Sequence, residues 1–111
     1  MKAHRTIPIA QKQPIPISCN DHDYIEIACM YRYDLKLELG SGEIIDARAI
    51  TTVTRKNDLG FPVEYLIVES DIATIDIPLN EIVKIETKNI SAKFQSIKLK
   101  NSELMAKSLA M

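Results

Sequence analysis

Residues 33–49 read YDLKLELGSGEIIDARA, and this stretch decides the fold. Tyr33, Leu35, Leu37 and Leu39 fall on one side of a period of two, with Asp34, Lys36 and Glu38 on the other, the signature of a half-buried β-strand. Gly40, Ser41 and Gly42 break the alternation in a tight turn. The return run then sets Ile45, Ala47 and Ala49 against Asp46 and Arg48, so it pairs antiparallel with the first strand as a hairpin or as the start of a long bent strand.

Working outward from the hairpin, Arg55–Pro62 reads as a loop and Val63–Val68 (VEYLIV) as a strand buried on both faces. A small-residue break at Ser70 and Asp71 leads to an alternating strand over 74–77, closed by Pro78. LNEIVKIET fits one helical turn followed by a last short strand. On the N-terminal side, Ser18 and Asp21 make a start resembling a capping box, with Asn20 as a further cap candidate. Tyr24, Ile27, Ala28 and Tyr31 then recur at i, i+3, i+4 and i+7 and predict a short helix with that stripe facing the core. Ile25, Ile27 and Cys29 also alternate, so a strand is the competing reading. Acids in the opening turns favour the helix. Residues 1–17 carry Pro8, Pro14 and Pro16 among isoleucines and should be extended. One helix followed by about five short strands is the pattern of a small all-β barrel of the SH3-like, Sm-like or OB kind.

At 111 residues and 46% apolar content the chain is a single domain with a real core. Its net charge of −1 hides a division: residues 1–17 carry +3, residues 87–111 carry +4, and residues 18–86 carry −8. Such asymmetry points to partners. An acidic middle does not suit a nucleic-acid binder, and only two Phe and no Trp leave little for a base-stacking platform. No apolar run is long enough for a membrane span, and MKAHRTIPIAQKQ lacks the apolar stretch of a signal peptide, so the expectation is a cytoplasmic protein.

Catalytic signatures are missing: there is no GxSxG, P-loop, GxGxxG or HExxH, and only His4 and His22 are available as imidazoles. No enzyme, cofactor or catalytic residue is expected. Cys19, His22 and Cys29 fall short of the four closely spaced ligands of structural zinc, and read as buried cysteines and a surface histidine, with no metal. Arg55 and Lys56 read as a solvated loop pair. Asp23 and Glu26 are neighbours on a helix surface, with Asp21 just before them. Two readings stand for this acidic group: a solubilising face, or a docking surface for a basic partner.

The run PIPISCNDHDYIEIACMYRYDLKLELGSGEIIDARAITTVTRKN, then VEYLIVES, then IDIPLNEIVKIET, resembles the Rho-binding antiterminator family of bacteria (Rof, or YaeO) over about residues 14–87. The most telling part is C-x-D-x-D-x-[IL]-E-[IL]-A-C, here Cys19, Asp21, Asp23, Ile25, Glu26, Ile27, Ala28 and Cys29, followed by the hairpin ending at Gly42 and Glu43. The resemblance implies a small Sm-like β-barrel with one N-terminal α-helix over residues 15–88; the composition of the ends adds a flexible basic arm (1–14) and a basic tail (89–111), disordered or partly helical. It implies an inhibitor of Rho-dependent transcription termination that binds the N-terminal domain of Rho through an acidic face and blocks its primary RNA site. Such a protein would be a monomer on its own and would not bind nucleic acid directly. By carry-over the partner-binding residues are Asp21, Asp23 and Glu26, with Asn20 and Tyr24 as polar neighbours and Glu43, Glu64 and Glu69 as weaker candidates. The alternative is an Sm-like RNA-binding module resembling Hfq, whose basic ends would contact phosphates.

The chain also departs from the family pattern. Asn20 stands where better-known members carry an acid, Asp58–Pro62 looks like an insertion, and both basic ends lie beyond the resemblance. A tail folded back over the acidic face would compete with the partner.

Overall fold

The computed structural model describes residues 2–9, 19–89 and 96–99. In chain order they form β1 (Ala3–Thr6), α1 (Cys19–Met30), β2 (Asp34–Leu39), β3 (Ile44–Lys56), β4 (Pro62–Glu69), β5 (Ala73–Pro78), a 3₁₀ turn (Leu79–Glu81), β6 (Ile82–Thr87) and β7 (Ser96–Lys98). The fold is mainly β with one N-terminal helix, as expected. Its strands make one seven-stranded sheet in the order β1-β5-β4-β3-β2-β6-β7, so no closed barrel is formed among the described residues.

The hairpin takes the expected register, with Leu35 opposite Ala47 and Leu37 opposite Ile45. Its turn is closed by the Leu39 N–H donating to the Glu43 carbonyl and the Gly42 N–H donating to the Leu39 carbonyl. Gly42 has φ of +92°, a backbone region that side chains bearing a Cβ resist. Strand β3 is long because it serves two neighbours: its first half pairs β2 and its second half pairs β4, with a register shift between Ala49 and Thr51. That irregularity bends the strand. The Ile50 carbonyl at the bend accepts a 3.1 Å bond from Arg32 Nη1.

Curvature gathers the inward side chains into one cluster. Leu35, Leu37, Leu39, Ile45, Leu66, Val68, Ile77, Ile82 and Ile85 share it with Ile25 and Ala28 of the helix. Ile7, just past β1, and Leu99, just past β7, enter the same cluster, so both edges of the sheet curl toward a common interior. Burial of this apolar surface is the main stabilising term. On β4, Leu66 and Val68 face the cluster, while Val63, Tyr65 and Ile67 face the other way. Val63 is buried there and the other two are half-buried, so the two-sided burial expected of VEYLIV is partial.

The helix ends in a Schellman arrangement. Arg32 adopts φ of +53°, the Tyr33 N–H donates to the Ala28 carbonyl at 3.0 Å, and the Arg32 N–H donates to the Cys29 carbonyl at 3.2 Å. The Tyr33 carbonyl then accepts from the Ala49 N–H, which fixes the entry into β2.

Four expectations need correction. The helix does not bury Tyr24 and Tyr31: its inward residues are Asp21, Ile25 and Ala28, an equally helical spacing, and both tyrosines are exposed. Residues 3–6 of the basic arm are extended as expected but form an edge strand parallel to β5, because β5 offers unpaired backbone groups and Glu69, Asp76 and Glu43 match the arm's bases. Part of the basic tail likewise extends the sheet at its other edge as β7, paired with β6. Arg55 and Lys56 belong to β3, leaving 57–61 as the loop, where Asn57 Oδ1 accepts bonds from the Leu59 and Phe61 N–H groups. The Ser18 cap, residues 14–17 and the rest of the tail lie outside the described residues.

Candidate docking surface

Helix α1 packs against β3 and presents its outer side to solvent. Asn20, Asp23, Tyr24, Glu26 and Met30 are all exposed on it, and Tyr31 is exposed just past its end. Asp23 and Glu26 are three residues apart and therefore adjacent. Glu64 sits at the start of β4 and is half-buried.

His22 joins the two elements. Its Nε2 lies 2.5 Å from Glu64 Oε2, and its Nδ1 lies 3.2 Å from Glu26 Oε1. An imidazole can donate to both carboxylates only when it is doubly protonated. The hydrogen bond to Glu64 is the largest influence and raises the His22 pKa. Partial burial opposes it, and the charges of Glu64, Glu26 and Asp23 add to the rise, so the ring is held above its ordinary value of 6.5. The result is a compact acidic patch, Asp23, Glu26 and Glu64, around one partly neutralising cation.

Not every residue proposed from sequence belongs to that patch. Asp21 is only 5% exposed and lies on the inward side of the helix, in the first turn, where the helix dipole favours a carboxylate. Glu43 receives a two-point contact from Arg5, Nη1 to Oε2 at 2.5 Å and Nη2 to Oε1 at 2.8 Å. That hydrogen bond is the main reason its carboxyl is held below the ordinary range. Glu69 is paired at 2.7 Å with Lys2 and is lowered for the same kind of reason. Asn20 and Tyr24 accompany the patch on the same exposed side of α1.

Two residues escaped the sequence reading. His22 was assigned to the bare surface, yet it ties the helix to β4; its i, i+4 spacing to Glu26 was the available signal, while Glu64 is 42 residues away and gave none. Asp76 on β5 is a carboxylate with a side chain only 2% exposed, held by Arg55 Nη1 at 2.6 Å and His4 Nε2 at 2.9 Å. Burial pushes its pKa up, but the bonds from Arg55 and His4 outweigh that and hold it below the ordinary value. Arg55 also lies over the Tyr65 ring at 5.3 Å.

Both cysteines are free. Cys19 is exposed, not buried as expected, because it opens α1 on the solvent side, and burial pushes the half-buried Cys29 thiol up to about 11. Among the described residues no group of three or more His, Cys, Asp and Glu side chains is arranged to hold a metal ion. Among them, too, no helix is long and apolar enough to cross a membrane.

Comparison with known proteins places these features in context. The family described as "Modulator of Rho-dependent transcription termination (ROF)" matches residues 16–99. The chain is 43% identical over 67 residues to Protein rof of Escherichia coli (strain K12), covering 60% of this chain and 74% of that protein. It matches Protein rof of Shigella flexneri with the same identity and coverage. Among solved structures, YaeO bound to magnesium from Vibrio cholerae O395 is similar with a TM-score of 0.60 and 26% identity, covering 70% of this chain and 96% of that one.

Proposed function

This chain belongs to the family of modulators of Rho-dependent transcription termination, and from that premise we propose that it inhibits termination by binding the N-terminal domain of Rho and blocking the primary RNA site there. The protein acts without catalysis, in the cytoplasm, as a monomer on its own. The observation that carries this reading is the patch formed by exposed Asp23 and Glu26 with half-buried Glu64 beside them. A site that accepts single-stranded RNA must be basic to hold phosphates, and carboxylates on a firm scaffold can take their place. Tyr24 and Asn20 flank the acids and add contact area that a purely charged surface lacks.

The test is calorimetric titration of Rho with the whole chain at low and raised salt, with C-rich single-stranded RNA as competitor. Binding should weaken with salt, yield to the RNA, and fall about tenfold in Asp23→Ala/Glu26→Ala, the size expected for two charges at an electrostatically matched interface. Binding to Rho that ignores both the RNA and the double substitution would refute the mechanism. Asp21→Ala separates packing from docking, since Asp21 lies on the inner side of the helix: it should lower stability before it alters contact with Rho.

A further inference from the structure

Among the described residues, the N-terminal segment touches the body through each of its basic side chains. Lys2 pairs with Glu69, His4 with Asp76 and Arg5 with Glu43, three acids from three different parts of the fold. The backbone joins in: Ala3–Thr6 lies parallel to β5, the Ala3 N–H donates to the Ile72 carbonyl, and the Ile7 N–H donates to the Asp76 carbonyl. Yet every residue of β1 is exposed, and among the described residues of this stretch only Ile7 is buried. Beyond that anchor the segment runs past an open cavity of about 370 Å³ whose lining includes Pro8, Ile9, Leu39 and Glu43. The whole segment precedes residue 16, where the family match begins.

A strand held by three ion pairs, two of them solvent-exposed, and by backbone pairing with four residues of β5, with its own side chains exposed, is bound as a ligand is bound. Exposed ion pairs are individually weak and are screened by salt. The edge beneath it is built for such a ligand: β5 supplies the backbone groups, and Glu69, Asp76 and Glu43 set basic side chains along its length. We propose that the edge of β5 is a strand-addition site for an extended basic segment, and that residues 2–7 of this chain fill it as an internal, displaceable occupant. Resting on the Rho reading above, the consequence is that Glu43 and Glu69 are masked from a basic partner until the segment leaves. The arm then lowers the acidity that the folded body shows to Rho.

A labelled peptide with the sequence of residues 1–10 (MKAHRTIPIA) tests this on the full-length chain. Lys2→Glu/Arg5→Glu expels the internal segment by like charge, and its folding is checked by circular dichroism. The peptide should bind this variant at least about tenfold more tightly than the wild type, because the wild-type site is already filled. Adding Glu43→Lys and Glu69→Lys should abolish the gain. Should the double reversal disturb folding, Lys2→Ala/Arg5→Ala gives the same comparison with a smaller perturbation. Equal affinity for wild type and variant, or no affinity for either, overturns the proposal. Rho binding by the wild-type chain is measured alongside: intact Rho binding with no peptide site overturns this inference alone, and a peptide site without Rho binding overturns the Rho reading alone.

Discussion

His22→Gln should destabilise the protein in acid and much less in base. In the folded state the imidazolium serves Glu64 and Glu26 at once, with the His22 side chain 25% exposed and those of its partners 34% and 57% exposed. A charge-assisted bond between partly buried groups contributes about 1–2 kcal/mol after allowance for solvent, and an i, i+4 ion pair on a helix adds about 0.3–0.5 kcal/mol. The protonated ring is therefore worth about 1.3–2.5 kcal/mol. Because its pKa is raised on folding, this contribution is fully present below the unfolded value near 6.5 and is lost as the pH climbs through the higher folded value. Neutral His22 keeps one N–H, so a single hydrogen bond survives, and glutamine can supply a comparable one. Urea unfolding of wild type and His22→Gln at about pH 5.5 and about pH 9 measures the difference directly. It should shrink by at least about 1 kcal/mol between the two. A difference equal at both pH values, or one that grows in base, would show that His22 does not act as a cation between the two carboxylates.

Arg55→Ala should cost about 2–4 kcal/mol in urea unfolding, since it leaves the buried Asp76 carboxylate with His4 as its remaining partner and removes the contact with Tyr65. As the Asp76 pKa is lowered on folding, its contribution is present above the ordinary carboxylate value and fades as the pH falls through the folded value, so wild type and Arg55→Ala should converge in acid. Leu37→Ala, at a fully buried position in the centre of the sheet, should cost about 2–5 kcal/mol and shorten amide-exchange protection across β2, β3 and β6. With its thiol pushed up to about 11, Cys29 should alkylate at neutral pH roughly a hundredfold more slowly than an ordinary exposed thiol, whereas the exposed Cys19 should react first by mass spectrometry. Comparable rates at the two cysteines would contradict the placement of α1.

Much of the fold was legible because it rests on local pattern. Alternation along Tyr33–Leu39 and Ile45–Ala49 fixed both the strands and the face each buries, since a strand slipped by one residue would turn every leucine to solvent. The glycines at 40 and 42 marked the turn, and Pro78 with LNEIVKIET located the 3₁₀ turn and β6. The helix was legible as an element but not in its rotation. Tyr24, Ile27, Ala28 and Tyr31 fit a helical stripe as well as Asp21, Ile25 and Ala28 do, and only packing against β3 decides between them. Charge was visible as a total for the acidic middle, but the sequence could not say which acids stay exposed.

That decision belongs to contacts between residues far apart in the chain. Glu26 and Glu64 meet through His22 across 38 residues, Asp76 is held by Arg55 and His4, and Lys2 and Arg5 pair with Glu69 and Glu43. By itself the sequence determined the strands, the turns, the existence of the helix and the sign of the charge, because each follows from side chains close in the chain. The tertiary structure decided which carboxylates form a patch and that the N-terminal segment joins the sheet, because the pairing energy of a charge depends on distance and exposure, which only the folded chain sets.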